Sequence, residues 1–360
     1  MRRFTLVLGG GGMRGLAHVG VLRALVDHQL LAQEVVGSSV GSLVAAAWCA
    51  GMSIQEMQDL ALALKRSDLF QLSPGTFARK GLRAPSVYRP EPLEHFVRGV
   101  LGDTAFDELE RPLLVNTVDI NTGTQVFWGS PGLRHISVAD AVIASCALPG
   151  FLPPHEIRGH YYVDGAAAAN LPVSPIAGVE RDLVIAADVS ARGRVGLSVH
   201  DEGFIAVYAR AIEIGIQRMD GETLRRWVRP PLLLIRPRVW HVPLLSFEHH
   251  AELIEAGFRA AHGVLDGPAP LPPPEATGVF PRTRVRVRVV RERCVGCGAC
   301  IAGGSGQFRF DADGKAVPTD PTPLWSPVDG LSVMQCPTGA IEVERVEEKG
   351  AGRRGRRLDG

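Results

Sequence analysis

The 360-residue sequence predicts an α/β protein with two folded parts. Two short apolar runs, Phe4–Leu8 and Val35–Val36, each lead through a glycine-containing turn into a helical segment. This alternation of buried strand and helix is typical of α/β domains. A proline-dense segment lies much later, at 263–281, and four cysteines follow it between 294 and 336. Because such proline density does not form a packed core, we expect a semi-rigid spacer between two domains.

The charge of the chain is nearly balanced, with 39 Lys and Arg against 38 Asp and Glu and a net charge of +1. This balance gives no reason to expect a nucleic-acid partner. Glycines at 9–12 end the first apolar run too soon for the core of a signal peptide. Residues 35–55 carry no charge, but their serines and internal glycine turn favour strand–turn–helix over a membrane span. We therefore expect a cytoplasmic protein without a transmembrane segment.

The first predicted strand runs directly into the glycine-rich turn Gly9-Gly10-Gly11-Gly12-Met13-Arg14-Gly15. A turn of this kind between a strand and a helix presents backbone N–H groups to an anion. One candidate anion is a dinucleotide pyrophosphate, because the turn fits G-x-G-x-x-G. That pattern expects an acidic residue at the end of the second strand, whereas Glu34 precedes the strand. The other candidate is the oxyanion of an acyl-transfer intermediate. Arg14 would hold this loop or meet a substrate phosphate.

The second strand leads into Gly37-Ser38-Ser39-Val40-Gly41, which is a G-x-S-x-G sequence. In this arrangement the central serine lies on a sharp turn between strand and helix with its hydroxyl exposed. Side chains at Gly37 and Gly41 would crowd the turn, and the following helix places partial positive charge behind Ser39. Ser39 is therefore the candidate nucleophile, and its position one strand after the glycine turn favours the oxyanion interpretation of that turn.

A candidate base lies at the end of a later strand, where Tyr161–Val163 is followed by Asp164-Gly165-Ala166. An aspartate in this position can project into a site at the strand ends, whereas an Asp-Gly pair taken alone is most often a turn. The other elements predicted for the first domain are a capping-box helix at 53–64, a loop-and-helix cap over 66–112, strands at 113–120, 124–128, 183–188 and 232–235, and helices at 203–219 and 249–265.

Together these motifs resemble the patatin-like phospholipase family. The resemblance rests on the four-glycine turn that ends Met-Arg-Gly, the G-x-S-x-G sequence, the Asp-Gly-Ala sequence, and ASCALPGFLPP at 144–154. It covers about residues 4–190 and implies a three-layer α/β/α sandwich with a Ser–Asp dyad that lacks a histidine. By position it makes Ser39 the nucleophile and Asp164 the base. It assigns the oxyanion hole to the N–H groups of Gly10, Gly11 and Gly12, with motif support from Arg14, Gly15, Gly37, Gly41 and Gly165.

An ordinary Ser-His-Asp hydrolase is the rival interpretation of the first domain. Its histidine would follow the acid in the sequence, and the candidates are His200, His241, His249 and His250. None of these lies in an obvious loop at a strand end, which favours the dyad. A lone carboxylate is a poor base at neutral pH unless burial raises its pKa, and we expect the apolar strand before Asp164 to have that effect.

The second predicted domain contains Cys294-Val-Gly-Cys297-Gly-Ala-Cys300 and a remote Cys336-Pro337. Three thiolates at this spacing can bind one face of a cubane cluster, and the Cys-Pro supplies the fourth ligand. The region resembles bacterial-type ferredoxin domains, which implies a small α+β domain with one [4Fe–4S] cluster. The ligand of a second cluster would stand at Gly304. Zinc is the alternative metal for these cysteines, and a cytosolic setting disfavours disulfides.

The predicted domains are a patatin-like acyl hydrolase at 1–262, a proline-rich linker at 263–281, a ferredoxin-type domain at 282–347 and a disordered basic tail at 348–360. We expect a serine esterase of the phospholipase or lysophospholipase type, peripheral to a membrane, whose substrate is a lipid acyl ester at a membrane or micelle surface. A redox partner protein would serve the cluster. One alternative is an electron-transfer or redox-sensing protein in which the cluster controls the hydrolase domain or is merely tethered to it. The other is an acyl-ester-binding scaffold without turnover.

Overall fold

The computed structural model describes residues 3–73, 86–190, 203–267, 271–303 and 306–346. The chain divides into two compact units, Met1–Phe280 and Pro281–Gly360. The boundary falls at the C-terminal end of the segment predicted as a linker. Gly304 and the predicted basic tail at 348–360 lie outside the described residues.

Nine strands form one mixed sheet in the described part of the first unit. They are β1 Phe4–Leu8, β2 Glu34–Ser38, β3 Leu113–Asp119, β4 Gln125–Trp128, β5 His155–Ile157, β6 His160–Asp164, β7 Leu183–Ala187, β8 Leu232–Ile235 and β9 Val279–Phe280. The strand order is β5-β6-β3-β2-β1-β7-β8-β9, and β4 also pairs with β3. Strands β1, β2, β3, β7, β8 and β9 pair in parallel, whereas β4, β5 and β6 pair antiparallel. The α/β fold predicted from the sequence is confirmed.

The described helices of the first unit connect and cover these strands. They are α1 Ala17–Asp27, α2 Val40–Cys49, α3 Ile54–Ala63, α4 Arg66–Leu69, α5 Glu91–Leu101, α6 Val138–Cys146, α7 Phe204–Arg225 and α8 His250–Leu265. The predicted capping box at the start of α3 is confirmed, because Ser53 Oγ accepts from the Glu56 N–H and the Glu56 carboxylate accepts from the Ser53 N–H. Among the helices that the structure describes, none has the length and apolar character needed to cross a membrane.

The centre of the sheet forms the hydrophobic core. Every residue of β1, β7 and β8 is buried, and β2 is buried from Val35 onward. Continuous apolar strands of this kind are typical of parallel sheets that are covered on both faces. The carboxyl ends of β1 and β2 therefore stand next to each other in a rigid setting, and the glycine turn and Ser39 follow directly from them.

Two glycines allow helices α1 and α8 to approach closely. A Cβ at Gly20 would lie 1.8 Å from the carbonyl oxygen of Ile254, and a Cβ at Gly257 would lie 1.8 Å from the carbonyl oxygen of Ala17. Because backbone atoms cannot yield by this much, any larger residue would push the helices apart. The pair fixes α1, which begins directly after the glycine turn, against α8.

Several boundaries differ from the sequence predictions. Helix α7 continues to Arg225, six residues beyond the predicted end at Met219. The end of α8 and strand β9 both lie inside the predicted linker segment. The region 66–112 contains α4 and α5, while residues 74–85 of the predicted entrance cap lie outside the described part of the chain.

The second unit is small and mixed. Its described elements are β10 Thr283–Val289, α9 Ala299–Gly303, β11 Phe308–Phe310, β12 Ala316–Pro318, β13 Leu324–Trp325, α10 Leu331–Met334 and β14 Ile341–Arg345. Strand β10 lies between β13 and β14 and pairs antiparallel with both, while β11 and β12 form a separate antiparallel pair. Strand β10 alternates between the two environments, because Val285 and Val287 are buried and their arginine neighbours are exposed.

Candidate active site

Ser39 occupies the sharp turn between β2 and α2. Its backbone has φ 53° and ψ −134°, a conformation that is rare for a non-glycine residue and is found mainly at functional sites. A Cβ at Gly37 would lie 2.4 Å from Ser42 Cα, and a Cβ at Gly41 would lie 2.4 Å from the Leu8 carbonyl oxygen. The turn therefore requires glycine at both flanking positions, as the sequence predicted.

Asp164 lies at the end of β6 and meets Ser39 directly. The Ser39 hydroxyl donates a 2.6 Å hydrogen bond to Asp164 Oδ2, and the Ala166 N–H donates a 2.9 Å bond to Oδ1. The carboxyl is 2 % exposed. Burial raises the pKa of Asp164 to about 6, although both hydrogen bonds oppose the shift. Gly165 is required beside it, because a Cβ there would lie 2.4 Å from Asn116.

Two polar residues that the sequence did not single out hold the serine turn. The Ser39 N–H donates to Ser145 Oγ at 2.8 Å, and Ser145 Oγ donates to the Asn116 carbonyl oxygen at 2.7 Å. The Asn116 amide in turn donates to the Ala169 carbonyl oxygen at 2.8 Å. Ser145 lies inside the patatin-like segment 144–154, which was the one sequence signal pointing to it, but its contact with Ser39 follows only from the fold.

The predicted oxyanion glycines divide into two kinds. The Gly10 N–H donates to the Asn170 carbonyl oxygen at 2.9 Å, so this donor is already engaged. The N–H groups of Gly11 and Gly12 have no acceptor among the residues that the structure describes. A Cβ at Gly10 would lie 3.2 Å from Ser39 Cβ, which places this loop beside the serine. Of the three predicted donors, Gly11 and Gly12 are therefore the two whose N–H groups are not already engaged by a described residue.

Arg14 is buried and anchors the glycine loop through contacts with residues outside it. It is 2 % exposed, its Nε donates to the Val242 carbonyl oxygen at 2.7 Å, and its guanidinium pairs with Glu213 at 3.4 Å. Of the two roles predicted for Arg14, the structure favours support of the loop over contact with a substrate phosphate. Gly15 packs closely on the serine turn, since a Cβ there would lie 2.8 Å from Val40 Cγ1.

His18 supports the same loop as a neutral side chain. Burial lowers its pKa to about 4, so the imidazole is uncharged at neutral pH. Its Nε2 lies 2.7 Å from the Gly9 carbonyl oxygen, which can only accept, so the proton resides on Nε2. His18 therefore serves as a neutral donor to the backbone of the glycine loop.

The histidines considered for a catalytic triad lie elsewhere or outside the described residues. His241 Nε2 and His249 Nδ1 contact Glu252 at 2.6 and 3.0 Å. His250 packs against Phe247, with ring centroids 6.0 Å apart. His200 belongs to the segment 191–202, which is not among the described residues. Within the described ranges, the one carboxylate or imidazole that bonds the Ser39 hydroxyl is Asp164.

An apolar cavity begins beside the serine turn. It is lined by Met13 and Val40, the residues that directly follow Gly12 and Ser39, and it extends between α2, α3 and α5. The remaining lining residues are aliphatic, methionine or aromatic: Leu16, Val19, Leu43, Val44, Ala47, Met52, Met57, Leu60, Ala61, Leu64, Leu69, Phe96 and Val100. A cavity of this composition suits a hydrocarbon chain and offers a polar head group no partner.

The four cysteines of the second unit line one recess. Cys294 Sγ accepts from the Ala316 N–H at 3.5 Å, and Cys336 Sγ accepts from the Ala340 N–H at 3.3 Å. Burial raises the pKa of Cys300, and the nearby thiols of the other three cysteines raise it further. Cys300 therefore lies near the other three cysteines in the recess.

The loop between these cysteines is shaped by glycine. Gly296 and Gly298 have φ of 69° and 73°, a region that favours glycine, and a Cβ at Gly296 would lie 2.6 Å from the Gly314 carbonyl oxygen. At Cys336 burial acts to raise the pKa, but hydrogen bonds from Thr338 and from nearby backbone bring it below its ordinary value. The set therefore offers four cysteine sulfur ligands, two of which accept from backbone N–H groups, and this arrangement fits the ligand set of an iron–sulfur cluster.

A strained serine bonded to a buried carboxylate, beside two N–H groups without described acceptors, defines a site of the serine esterase class. Comparison with known proteins points to the same class. Residues 6–177 match the family model described as patatin-like phospholipase. The chain therefore carries a patatin-like domain over these residues, and this part of the resemblance seen in the sequence is confirmed.

Similar proteins cover the same region. An uncharacterized NTE family protein of Mycobacterium tuberculosis is 33 % identical over 188 residues, which are 52 % of this chain and 49 % of the relative. The neuropathy target esterase sws of Drosophila melanogaster is 28 % identical over 54 % of this chain and 13 % of its own length. Patatin-like phospholipase domain-containing protein 6 of Mus musculus is 29 % identical over 55 % of this chain and 14 % of its own length. The chain thus spans about half of the mycobacterial relative and less of the others.

Proposed function

We propose that this chain is a serine lipid acyl hydrolase that cleaves carboxylic esters through an acyl-enzyme on Ser39. The observation that carries the proposal is the 2.6 Å hydrogen bond from the Ser39 hydroxyl to the buried Asp164. A serine hydroxyl becomes an effective nucleophile when an adjacent base accepts its proton. The raised pKa of Asp164, about 6, gives the carboxylate more basic strength than a solvated aspartate. The patatin-like match supports this proposal. A three-layer α/β/α sandwich, which the family resemblance implies, forms part of the same proposal.

The proposed reaction has two halves. Asp164 takes the Ser39 proton while Oγ attacks the ester carbonyl, and the N–H groups of Gly11 and Gly12 bind the resulting oxyanion. Asp164 then gives its proton to the leaving alcohol as the C–O bond breaks, which leaves Ser39 acylated. In the second half Asp164 takes a proton from water, the hydroxide attacks the acyl carbonyl, and Ser39 recovers its proton as the fatty acid departs. A single oxyanion donor contributes about 3 kcal/mol to such a reaction.

The substrate proposed is a lipid ester whose acyl chain enters the apolar cavity beside Met13 and Val40. Burying each methylene of that chain contributes about 0.8 kcal/mol, so long-chain esters gain more than short ones. Such substrates reside in membranes or micelles, which makes a peripheral membrane location part of the same proposal.

Hydrolysis of a p-nitrophenyl ester and of a lysophospholipid tests the proposal. We expect the variants Ser39→Ala and Asp164→Asn to lose at least about a hundredfold in kcat/KM, in line with the loss of a nucleophile or general base. Ser53→Ala is the matched control, because Ser53 caps α3 at the surface and should affect stability alone. Full activity in Ser39→Ala would rule out the proposed mechanism.

We further propose that Cys294, Cys297, Cys300 and Cys336 hold one [4Fe–4S] cluster. The support is the shared recess, the left-handed glycines between the first three ligands and the N–H donors to sulfur. When bound, such a cluster supplies one-electron redox chemistry, and a redox partner protein would exchange electrons with it. A ferredoxin-type fold for the second unit forms part of this proposal.

Anaerobic purification tests the cluster, since a loaded protein should contain about four irons and show a broad visible band that dithionite bleaches. Loss of both signals in Cys300→Ser is the expected result, whereas zinc in place of iron would overturn the assignment. Hydrolysis measured before and after dithionite separates two functions for the cluster. A changed rate would favour the redox-sensing alternative, and an unchanged rate would favour a cluster that is merely tethered to the hydrolase.

A further inference from the structure

Helices α1 and α8 end side by side, and three metal-ligating side chains converge there. His28 directly follows α1, while His262 lies in the last turn of α8 and Asp266 directly follows it. His28 Nε2 lies 2.8 Å from Asp266 Oδ1, and His262 Nδ1 contacts Asp266 Oδ2. One ligand atom from each residue can be chosen so that all three lie within 4.8 Å of one another. The two imidazole rings meet edge to face, with centroids 4.8 Å apart.

The hydrogen bonds of His28 fix which of its ring nitrogens offers a lone pair towards Asp266 and His262. Nδ1 lies 2.8 Å from the Ala24 carbonyl oxygen, which can only accept, so Nδ1 carries a proton. Nε2 faces a carboxylate oxygen, and this contact requires either a second proton or a cation that binds both atoms. A histidine that donates one N–H to a backbone carbonyl and offers its other nitrogen is the usual arrangement of a metal ligand.

The charges around His28, His262 and Asp266 favour a bound cation. Both helices end at this point, and the C-terminus of a helix carries partial negative charge. Asp266 adds a carboxylate that contacts both imidazoles.

We propose that His28, His262 and Asp266 form a binding site for a divalent transition metal, with Zn²⁺ as the best-suited ion. Imidazole and carboxylate ligands suit zinc, and three protein ligands leave a fourth tetrahedral position for water. His262 and Asp266 are four residues apart and share one face of α8, while His28 comes from α1. The ion would clamp the end of α1 to the end of α8, the two helices that already meet through Gly20 and Gly257. This inference does not depend on the proposed hydrolase.

A second carboxylate on α8 provides a matched control. Glu252 also contacts two histidines, His241 at 2.6 Å and His249 at 3.0 Å. Among the described residues, however, the His28 group is the one set of three such ligands whose atoms lie within 4.8 Å of one another. The two groups therefore share residue types and exposure but differ in the convergence of three ligand atoms.

Equilibrium dialysis of the full chain, with its cysteine site loaded with iron, against Zn²⁺ at neutral pH tests the site. We expect the wild type to bind one more zinc per chain than Asp266→Asn, and Glu252→Gln to bind as many as the wild type. His262→Gln should lose the same zinc and serves if Asp266→Asn does not fold. X-ray absorption should show this zinc with N/O ligands at about 2.0–2.1 Å.

Three results would overturn the proposal. Equal zinc content in the wild type and in the folded His262→Gln variant would show that these residues bind no metal. Loss of the same zinc in Glu252→Gln would show non-specific surface binding. Sulfur ligands at about 2.3 Å would assign the zinc to cysteine.

Discussion

Acidification provides the sharpest test of the proposed dyad. Asp164 can accept the Ser39 proton only when it is ionised, and its pKa is about 6 because the carboxyl is buried. About nine-tenths of the molecules carry an ionised Asp164 at pH 7 and about one-tenth at pH 5, so kcat/KM should fall about tenfold between these values. An aspartate at the ordinary value of 3.8 would still be about nine-tenths ionised at pH 5 and would leave the rate almost unchanged.

The loss of activity between pH 7 and pH 5 should not be caused by unfolding, because protonation of Asp164 does not destabilise the folded state. Its pKa is higher in the folded state than in the unfolded chain, so the folded state binds the proton more tightly. The contribution of this group to stability is therefore fully present below the unfolded pKa and is lost as the pH rises through about 6. Acidification from pH 7 to pH 5 strengthens the fold at this position while it inactivates the base.

The assay is kcat/KM for a neutral p-nitrophenyl ester across this range, with circular dichroism at each pH to confirm that the protein is folded. Repetition at two temperatures identifies the base, because the ionisation of a carboxylic acid has an enthalpy near zero, whereas the ionisation of an imidazolium absorbs considerable heat. A profile that stays flat to pH 5 would refute the raised pKa of a catalytic Asp164. An inflection that moves strongly with temperature would indicate a histidine base.

Three further predictions test how the site and the fold around it are built. Ser145→Ala leaves the Ser39 N–H without its acceptor, which should lower the free energy of unfolding by about 1–3 kcal/mol. Because the serine turn is then less well held, kcat should fall by a larger factor than KM changes. Gly20→Ala should destabilise the fold by about 1–3 kcal/mol or more in urea unfolding, whereas Gly99→Ala, where a Cβ meets open space in α5, should stabilise it by about 0.5–1 kcal/mol. Leu43→Trp should fill the apolar cavity and shift the ester preference towards short chains, and an unchanged chain-length profile would place the acyl chain elsewhere.

Local motifs predicted much of the fold and pointed to Ser39, whereas the family resemblance assigned Asp164 as its base. Ser39 stands at the centre of the five-residue sequence 37–41, and Asp164 ends a short strand followed by glycine. The capping box at Ser53 is likewise formed within one helical turn. Features of this kind are encoded over short distances, so they can be read along the chain.

Contacts between distant segments were beyond such reasoning. The Asn170 side-chain amide donates to the Gly10 carbonyl oxygen across 160 residues of sequence, and the Ser39 N–H donates to Ser145 Oγ across 106. No periodicity or spacing records that these residues become neighbours. The same holds for His28 and His262, whose proximity depends on the packing of α1 against α8.

The separation of Ser39 and Asp164 by 125 residues determines when the chain can become active. The nucleophile follows β2, whereas the base arrives on β6, which joins the far side of β3 antiparallel. A ribosome-bound chain that ends before residue 164 carries the serine but has no base to activate it. In the proposed mechanism, lipid hydrolysis therefore starts only after this edge of the sheet has assembled, so an incomplete translation product is harmless to the membranes around it.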